Sequence, residues 1–193
     1  AYLVNPKHAE LFGGKCYTSL SEVEEEVDLA IVAIPAKFVN GEIGKNAAKI
    51  KNYIIISAGF SETNEEGKQR EEELKKIAQE NDLNILGPNC LGFMAPKLKL
   101  NASFGPEMPE AGNIAIVSQS GALISAIMDI AQEQFISFSH VISIGNKAVI
   151  DESDVLEYLG ENPEVAVIAM YLEGIKDGRK FIETAGRIIN KKP

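Results

Sequence analysis

Residues 114–123 read IAIVSQSGAL, and this order limits the fold more than any other stretch of the 193-residue chain. Apolar, β-branched-rich sequence runs into Ser118, Gln119, Ser120 and Gly121, and an amphipathic pattern then continues through Ala122, Leu123, Ile124, Ile127, Met128 and Ala131. The pattern predicts a buried strand, a tight turn and a helix. A helix that begins on small hydroxyl residues and glycine presents backbone N–H groups and the positive end of its dipole beyond the strand. The turn is therefore a candidate anion site, with phosphate the first choice. The same residues also suit a plain serine cap on a core helix.

The unit recurs along the chain. Residues 2–4 read as a short strand ending at the turn Asn5-Pro6-Lys7, and Ser19 and Glu22 stand in capping-box spacing. Residues 27–34, VDLAIVAI, form a nearly continuous apolar run closed by Pro35, which predicts a strand buried on both faces of a parallel sheet. A helix over 38–50 follows, weakened by Gly41 and Gly44, then a strand over 53–57. Residues 65–80 make a charged helix with Leu74, Ile77 and Ala78 inward and an acid-rich face read as solvated, and residues 83–86 a further strand. Residues 94–112 hold three prolines and two glycines without a regular period and read as a boundary. Beyond it the alternation restarts, with strands over 114–118, 139–144 and 165–171 and helices over 121–133, 153–160 and 178–190. The fold class is α/β: two doubly wound parallel-sheet domains, over 1–98 and 113–193, joined by a linker over 99–112. The chain opens on a strand already under way and closes on a helix end approaching another strand, so both domains are expected to be truncated at the chain ends.

A net charge of -9 disfavours nucleic acid and anionic membrane surfaces, so an anionic ligand must be held by local amides or placed lysines. No apolar run approaches membrane-spanning length and no signal segment opens the chain, which makes a cytoplasmic setting the default. Cys16 and Cys90 are too isolated for a disulfide framework or a zinc site, and His8 and His140 show no paired spacing, so no metal site is expected.

In open α/β sheets ligands bind beyond the carboxyl ends of the strands. Those ends carry Asn5-Pro6-Lys7, Pro35-Ala36, Ser57-Ala58-Gly59, Asn89-Cys90, Ser118-Gln119-Ser120-Gly121, Gly145-Asn146-Lys147 and Glu173-Gly174. Lys7 suits a phosphate or plain solvent, and Cys90 a reactive thiol or a small buried side chain. Glu173 follows the apolar run VAVIAMYL, so it either meets a cation or imidazole or stands exposed in a turn. Ser120 echoes a nucleophile elbow, but VSQSG lacks the first glycine of G-x-S-x-G, and no G-x-G-x-x-G points to a dinucleotide.

Taken in order, VNPK (4–7), VDLAIVAIPA (27–36), ISAGFSE (56–62), ILGPNCLGFMAP (85–96), IAIVSQSGAL (114–123) and the ISIGN…D-x-L-x-x-L segment (142–159) resemble the NDP-forming (ADP-forming) acyl-CoA synthetases, and more distantly the alpha subunit of succinyl-CoA synthetase. The resemblance covers nearly the whole chain. It implies a Rossmann-like CoA-binding domain followed by a flavodoxin-like domain. The implied reaction interconverts acyl-CoA, nucleoside diphosphate and phosphate with acid, CoA and nucleoside triphosphate, through an acyl phosphate and a phosphohistidine. By position, Asn5, Pro6 and Lys7 would contact the nucleotide end of coenzyme A, and Pro35, Ala36, Ser57, Ala58 and Gly59 would line the pantetheine path. Asn89 and Cys90 would lie near the thioester, and Ser118, Ser120, Gly121 and Ala122 would receive phosphate. Glu173 matches the glutamate that supports the phosphorylated histidine.

The implied partners are an ATP-grasp domain or beta subunit, which brings ATP/ADP with Mg, and an organic acid or acyl-CoA substrate within an oligomer. The family's glycine-rich first loop would precede Ala1 and its phosphorylated histidine would follow Pro193; neither His8 nor His140 matches it. The chain alone is therefore expected to be inactive. The competing expectation is a non-catalytic module that senses CoA or acyl-CoA.

Overall fold

Apolar runs that end in small polar residues become strands here, and the amphipathic stretches between them become helices. The computed structural model describes residues 1–193. In chain order the elements are β1 (Leu3–Val4), β2 (Glu10–Leu11), β3 (Gly14–Tyr17), β4 (Ala30–Val32), α1 (Ala36–Asn46), β5 (Asn52–Ile55), α2 (Glu65–Asn81) and β6 (Asn84–Leu86). They continue with β7 (Gly92–Ala95), β8 (Leu100–Ser103), β9 (Ala111–Ser118), α3 (Gly121–Glu133), β10 (Phe138–Ser143), α4 (Glu152–Glu161), β11 (Val167–Tyr171) and α5 (Gly178–Ile188).

The first half carries a parallel sheet in the order β4-β5-β6. Side chains alternate across a strand, and Tyr53, Ile55 and Ile85 pack on one face against Val39 and Ile43 of α1 and Leu74 and Ala78 of α2. Ile54 and Leu86 point the other way and join a cluster with Ala115, Val117 and Ile142, so this core continues into the second half. There the sheet runs β11-β9-β10-β7-β8, with β11, β9 and β10 parallel. Helix α3 covers one face through Ile124 and Met128 on Ile116, Phe138 and Val141. Helix α4 covers the other through Val155 and Leu159. The α/β class is what the alternation predicts, and the two parallel sheets agree with the Rossmann-like and flavodoxin-like domains that the resemblance implies.

Three local expectations change. The stretch read as a boundary is not without structure: β8 lies inside the predicted linker and pairs antiparallel with β7, which pairs antiparallel with β10. Pro96 opens the short 3₁₀ turn Pro96–Leu98 of this hairpin, so the proline marks a turn and does not interrupt a strand. Strand β4 is not buried on both faces: it pairs only with β5, and Ile31 at this sheet edge is 50% exposed. β1 belongs to neither main sheet but to a small separate one, ordered β1-β3-β2. The Ser19 cap also differs in detail. Its hydroxyl accepts the Ser21 N–H at 3.3 Å, while Glu22 reaches past it to the Thr18 N–H at 3.0 Å.

The halves are laced by backbone. The segment after β10 runs beside the end of β6, with Asn146 N–H on Pro88 O (2.9 Å), Ala148 N–H on Gly87 O (3.0 Å) and Ile150 N–H on Ile85 O (3.2 Å). Gly145 makes this approach feasible: its φ is +53°, and an added Cβ would stand 2.2 Å from Pro88 O. Gly145→Ala should therefore destabilise the chain by roughly 2 kcal/mol or more, read as a lower urea midpoint. An unchanged midpoint would contradict this packing.

Candidate functional site

The loops at the carboxyl ends of β9, β10 and β11 converge, and their hydrogen bonds show what holds them. β9 ends on the fully buried Ser118. Its hydroxyl donates to Ser120 O and accepts from Ser120 N–H, both at 3.0 Å, so it tightens the turn from inside. Ser120 caps α3, its Oγ accepting the Leu123 N–H at 3.2 Å. Gly121 begins the helix, and a Cβ there would meet Leu91 Cβ at 3.4 Å. The first turn of α3 thus lies against the 87–92 turn, with its leading amides directed past the strand end. The capped-helix reading holds at Ser120.

Gln119, which the sequence reading passed over, links this turn to the next. Its backbone N–H donates to Tyr171 O at 3.1 Å, and its side-chain Oε1 accepts the N–H of Glu173 (2.7 Å) and of Gly174 (3.1 Å). Glu173 is an exposed turn residue held through its backbone. From the other side Lys147 Nζ donates to Gly174 O at 2.7 Å and forms an ion pair with Glu152 at 2.7 Å, both side chains buried. Lys176 N–H donates to the other Glu152 oxygen at 2.7 Å. Burial opposes ionisation of Glu152, but the Lys147 ammonium and the Lys176 N–H outweigh it and hold the carboxyl below its ordinary value.

The first-half loops form a second set. Ser57 Oγ donates to Ile34 O (2.6 Å) and accepts the Ile34 N–H (3.1 Å), and Gly59 leaves only 3.0 Å between the place of a Cβ and Ala36 Cβ. Pro35, Ala36, Ser57, Ala58 and Gly59 therefore share one rim, Pro35 in the cap position of α1. Asn89 joins them through its N–H on Ser57 O (3.1 Å), and its side chain donates to Asn146 Oδ1 at 3.2 Å. Asn146 Nδ2 in turn donates to Glu62 (2.6 Å), Glu71 (2.9 Å) and Ser61 (3.2 Å). Glu71 lies on the face of α2 read as solvated, yet it is buried and also accepts the Ser61 hydroxyl at 2.6 Å.

Cys90 is 3% exposed, with its thiol 3.3 Å from Ile55 O, and burial pushes that thiol up to about 12. It packs in the core, so any contact of Cys90 with a ligand runs through its backbone. Asn5, Pro6 and Lys7 stand on the small sheet, where Asn5 Oδ1 accepts the Lys7 N–H at 2.9 Å. No hydrogen bond ties that turn to the other loops. His140 is buried between Phe93 and Tyr158, and burial lowers its imidazole. The signal for Lys147 and Asn146 was their place right after an apolar run. Gln119 and Glu71 gave none, because their partners Glu173 and Asn146 lie 54 and 75 residues along the chain.

The lowered Glu152 carboxyl sets a sign. Stability from its ionised form is complete above the unfolded value of about 4.5 and is lost as pH falls through the folded value. Glu152→Gln should be less stable than the parent at pH 7 and should lose less stability between pH 5 and 3, measured as urea midpoints. Parallel losses in both proteins would contradict the pairing.

Comparison with known proteins gives this geometry a family. Residues 1–96 match the CoA binding domain model, and residues 111–193 match the succinyl-CoA ligase like flavodoxin domain model. The whole chain is 43% identical to acetate–CoA ligase [ADP-forming] I of Archaeoglobus fulgidus, of which it covers 28%. It is 46% identical to the alpha subunit of acetate–CoA ligase [ADP-forming] II of Pyrococcus furiosus, of which it covers 42%. Among solved structures, a dinucleotide-forming acetyl-coenzyme A synthetase 1 of Ca. Korarchaeum cryptofilum in complex with phosphate and ADP superposes on the whole chain with a TM-score of 0.92 at 39% identity, 42% of that chain being covered. A structure from Pyrococcus horikoshii OT3 reaches a TM-score of 0.95 at 43% identity, again over the whole chain and 44% of its counterpart. The chain spans less than half the length of each of these proteins. Residues 1–96 belong to the CoA-binding domain family and residues 111–193 to the succinyl-CoA-ligase-like flavodoxin family, and together they are homologous to the corresponding segment of the ADP-forming acetate–CoA ligases.

Proposed function

We propose that this chain supplies the CoA-binding and phosphate-handling parts of an ADP-forming acyl-CoA synthetase. The observation that carries the reading is the junction at Gln119, where the helix turn suited to phosphate and the loop bearing Glu173 share one side chain. In the proposed reaction phosphate displaces CoA from an acyl-CoA to give an acyl phosphate. The phosphoryl group then passes to a histidine, releasing the acid, and from the histidine to ADP. Domains over 1–98 and 113–193 divide the work.

The residues at hand suit the first stages. Negative charge at phosphate oxygens is stabilised by donors that are already in place, so the N–H groups of Gly121 and Ala122 at the start of α3, with the Ser120 hydroxyl beside them, would hold the anion without reorganisation. Ser118 supports them from within the turn. Coenzyme A supplies the thiol that exchanges the acyl group. Its backbone-lined path fits the rim of Pro35, Ala36, Ser57, Ala58 and Gly59, where the missing Cβ of Gly59 leaves the narrow space beside Ala36. Asn89 and the backbone of Cys90 would stand at its reacting end, and Lys7, with Asn5 and Pro6, would meet its nucleotide phosphates. Glu173 has an exposed carboxylate free to orient an imidazole and raise its basicity. That imidazole is neither His8 nor the buried His140. An ATP-grasp module would bring the nucleotide with Mg, and an organic acid is the other product.

The test is to incubate the complete ligase with labelled ATP and assay acid-labile phosphohistidine. The synthetase reading expects label. Absence of label under conditions where CoA binds would leave the chain as a CoA- or acyl-CoA-sensing module. Gly121→Val, which crowds Leu91 and the first turn of α3, should weaken phosphate binding roughly five- to tenfold while CoA affinity stays within about twofold. Unchanged phosphate affinity would remove Gly121 from the site.

A further inference from the structure

The Glu173 loop is built on exposed residues. Residues 173–178 are all exposed, and a Cβ on Gly174 would meet nothing within 4 Å. Packing does not hold such a turn, and an untethered one would spread its carboxylate over many positions. What fixes the Glu173-Gly174 backbone is a set of side chains from other loops. Gln119 Oε1 takes both N–H groups, at 2.7 and 3.1 Å. Lys147 Nζ takes the Gly174 carbonyl at 2.7 Å, and its ammonium is anchored by the buried carboxylate of Glu152. Within the loop itself Lys176 adds a second tether, its N–H on Glu152 and its Nζ on the carbonyls of Lys147 (3.2 Å) and Ala148 (3.1 Å).

We infer that Gln119 and Lys147 are positioning residues that preset the backbone carrying the Glu173 carboxylate relative to the phosphate turn before any ligand arrives. The inference rests on the reading of Glu173 as the carboxylate that serves phosphoryl transfer. Gln119 lies inside the phosphate turn, between Ser118 and Ser120, so the span from that turn to the Glu173-Gly174 backbone is set by one side chain. An amide oxygen accepts two N–H groups without adding negative charge beside an anion, which a carboxylate at this position would do. On the far side a charge-assisted bond from an ammonium that cannot swing away holds the Gly174 carbonyl. Orienting groups need placement to within a fraction of an ångström, and rigid support from the surrounding residues supplies it.

The test is a double-mutant cycle on the rate of histidine phosphorylation in the complete ligase, with Gln119→Met, Glu173→Gln and the double variant. Gln119→Met and Glu173→Gln should each slow phosphorylation about tenfold with CoA affinity within about twofold, and Gln119→Met should add less than about twofold in the Glu173→Gln background. Equal slowing by Gln119→Met in both backgrounds, or none with Glu173 intact, would overturn the positioning role alone. A Glu173→Gln enzyme at the parental rate would overturn the reading of Glu173, and the positioning role with it.

Lys147→Met by itself would strand the buried Glu152 charge, so it is paired with Glu152→Gln and should show the same dependence on Glu173. In hydrogen exchange of the 193-residue chain, the amides of Glu173 and Gly174 should exchange at least about tenfold faster in Gln119→Met. Unchanged protection would show that Gln119 does not hold the loop.

Discussion

Lys147 and Glu152 form an ion pair 2.7 Å apart with almost no access to solvent, at the point where the loops of the second sheet meet. Removing two such charges from water costs several kcal/mol each, and the pair persists only if its remaining valences are filled. Backbone fills part of them: Gly174 O accepts a hydrogen bond from the ammonium and Lys176 N–H donates to the carboxylate Oε1, while Oε2 meets Lys147 through charge alone. Both ions belong to the β10–α4 segment, so parting the loops after β10 and β11 would keep the pair but strip it of the Gly174 O and Lys176 N–H bonds in the interior. The same region starts α4, whose Asp151–Asp154 capping box ties its first turn and whose acids also engage Lys180 on α5. Two adjacent charge clusters thus tie the loops after β10 and β11 to each other and α4 to α5.

Next to Lys147 in the chain, Asn146 faces the other way. It donates to Glu62 and Glu71 of the first half while its backbone runs beside the end of β6. A single loop therefore serves both sheets, and the proposed CoA rim and phosphate turn are held at a set separation by hydrogen bonds and a shared apolar core. For a reaction that hands a phosphoryl group between sites, such stiffness is an asset, because catalysis there rests on placement and on charge stabilisation by fixed dipoles.

The sequence was legible where structure depends on local period. Helix α3 spans Gly121–Glu133 as the pattern around Leu123, Ile124 and Met128 requires, and the buried strands follow their apolar runs. It was less legible where neighbours decide. Nothing in VDLAIVAI tells that β4 has a partner on one side only, so the exposure of Ile31 stayed hidden. The β7–β8 hairpin was obscured because Pro96 and the other prolines nearby read as breakers, although Pro96 only starts its turn. Glu71 looked like one acid among many on a solvated helix, since Asn146, which makes its burial tolerable, is 75 residues away. Cys90 shows the converse: its motif suggested a ligand contact, while its thiol is turned into the core.

The central claim is that the amides at the start of α3 receive phosphate and that Gln119 couples the Glu173-Gly174 turn to them. Titrating inorganic phosphate into the 193-residue chain and following its backbone amide resonances tests this most directly. The account predicts saturable shifts concentrated at Ser120, Gly121 and Ala122 and at Glu173 and Gly174. Saturable shifts confined to other residues, or none at these amides, would contradict it.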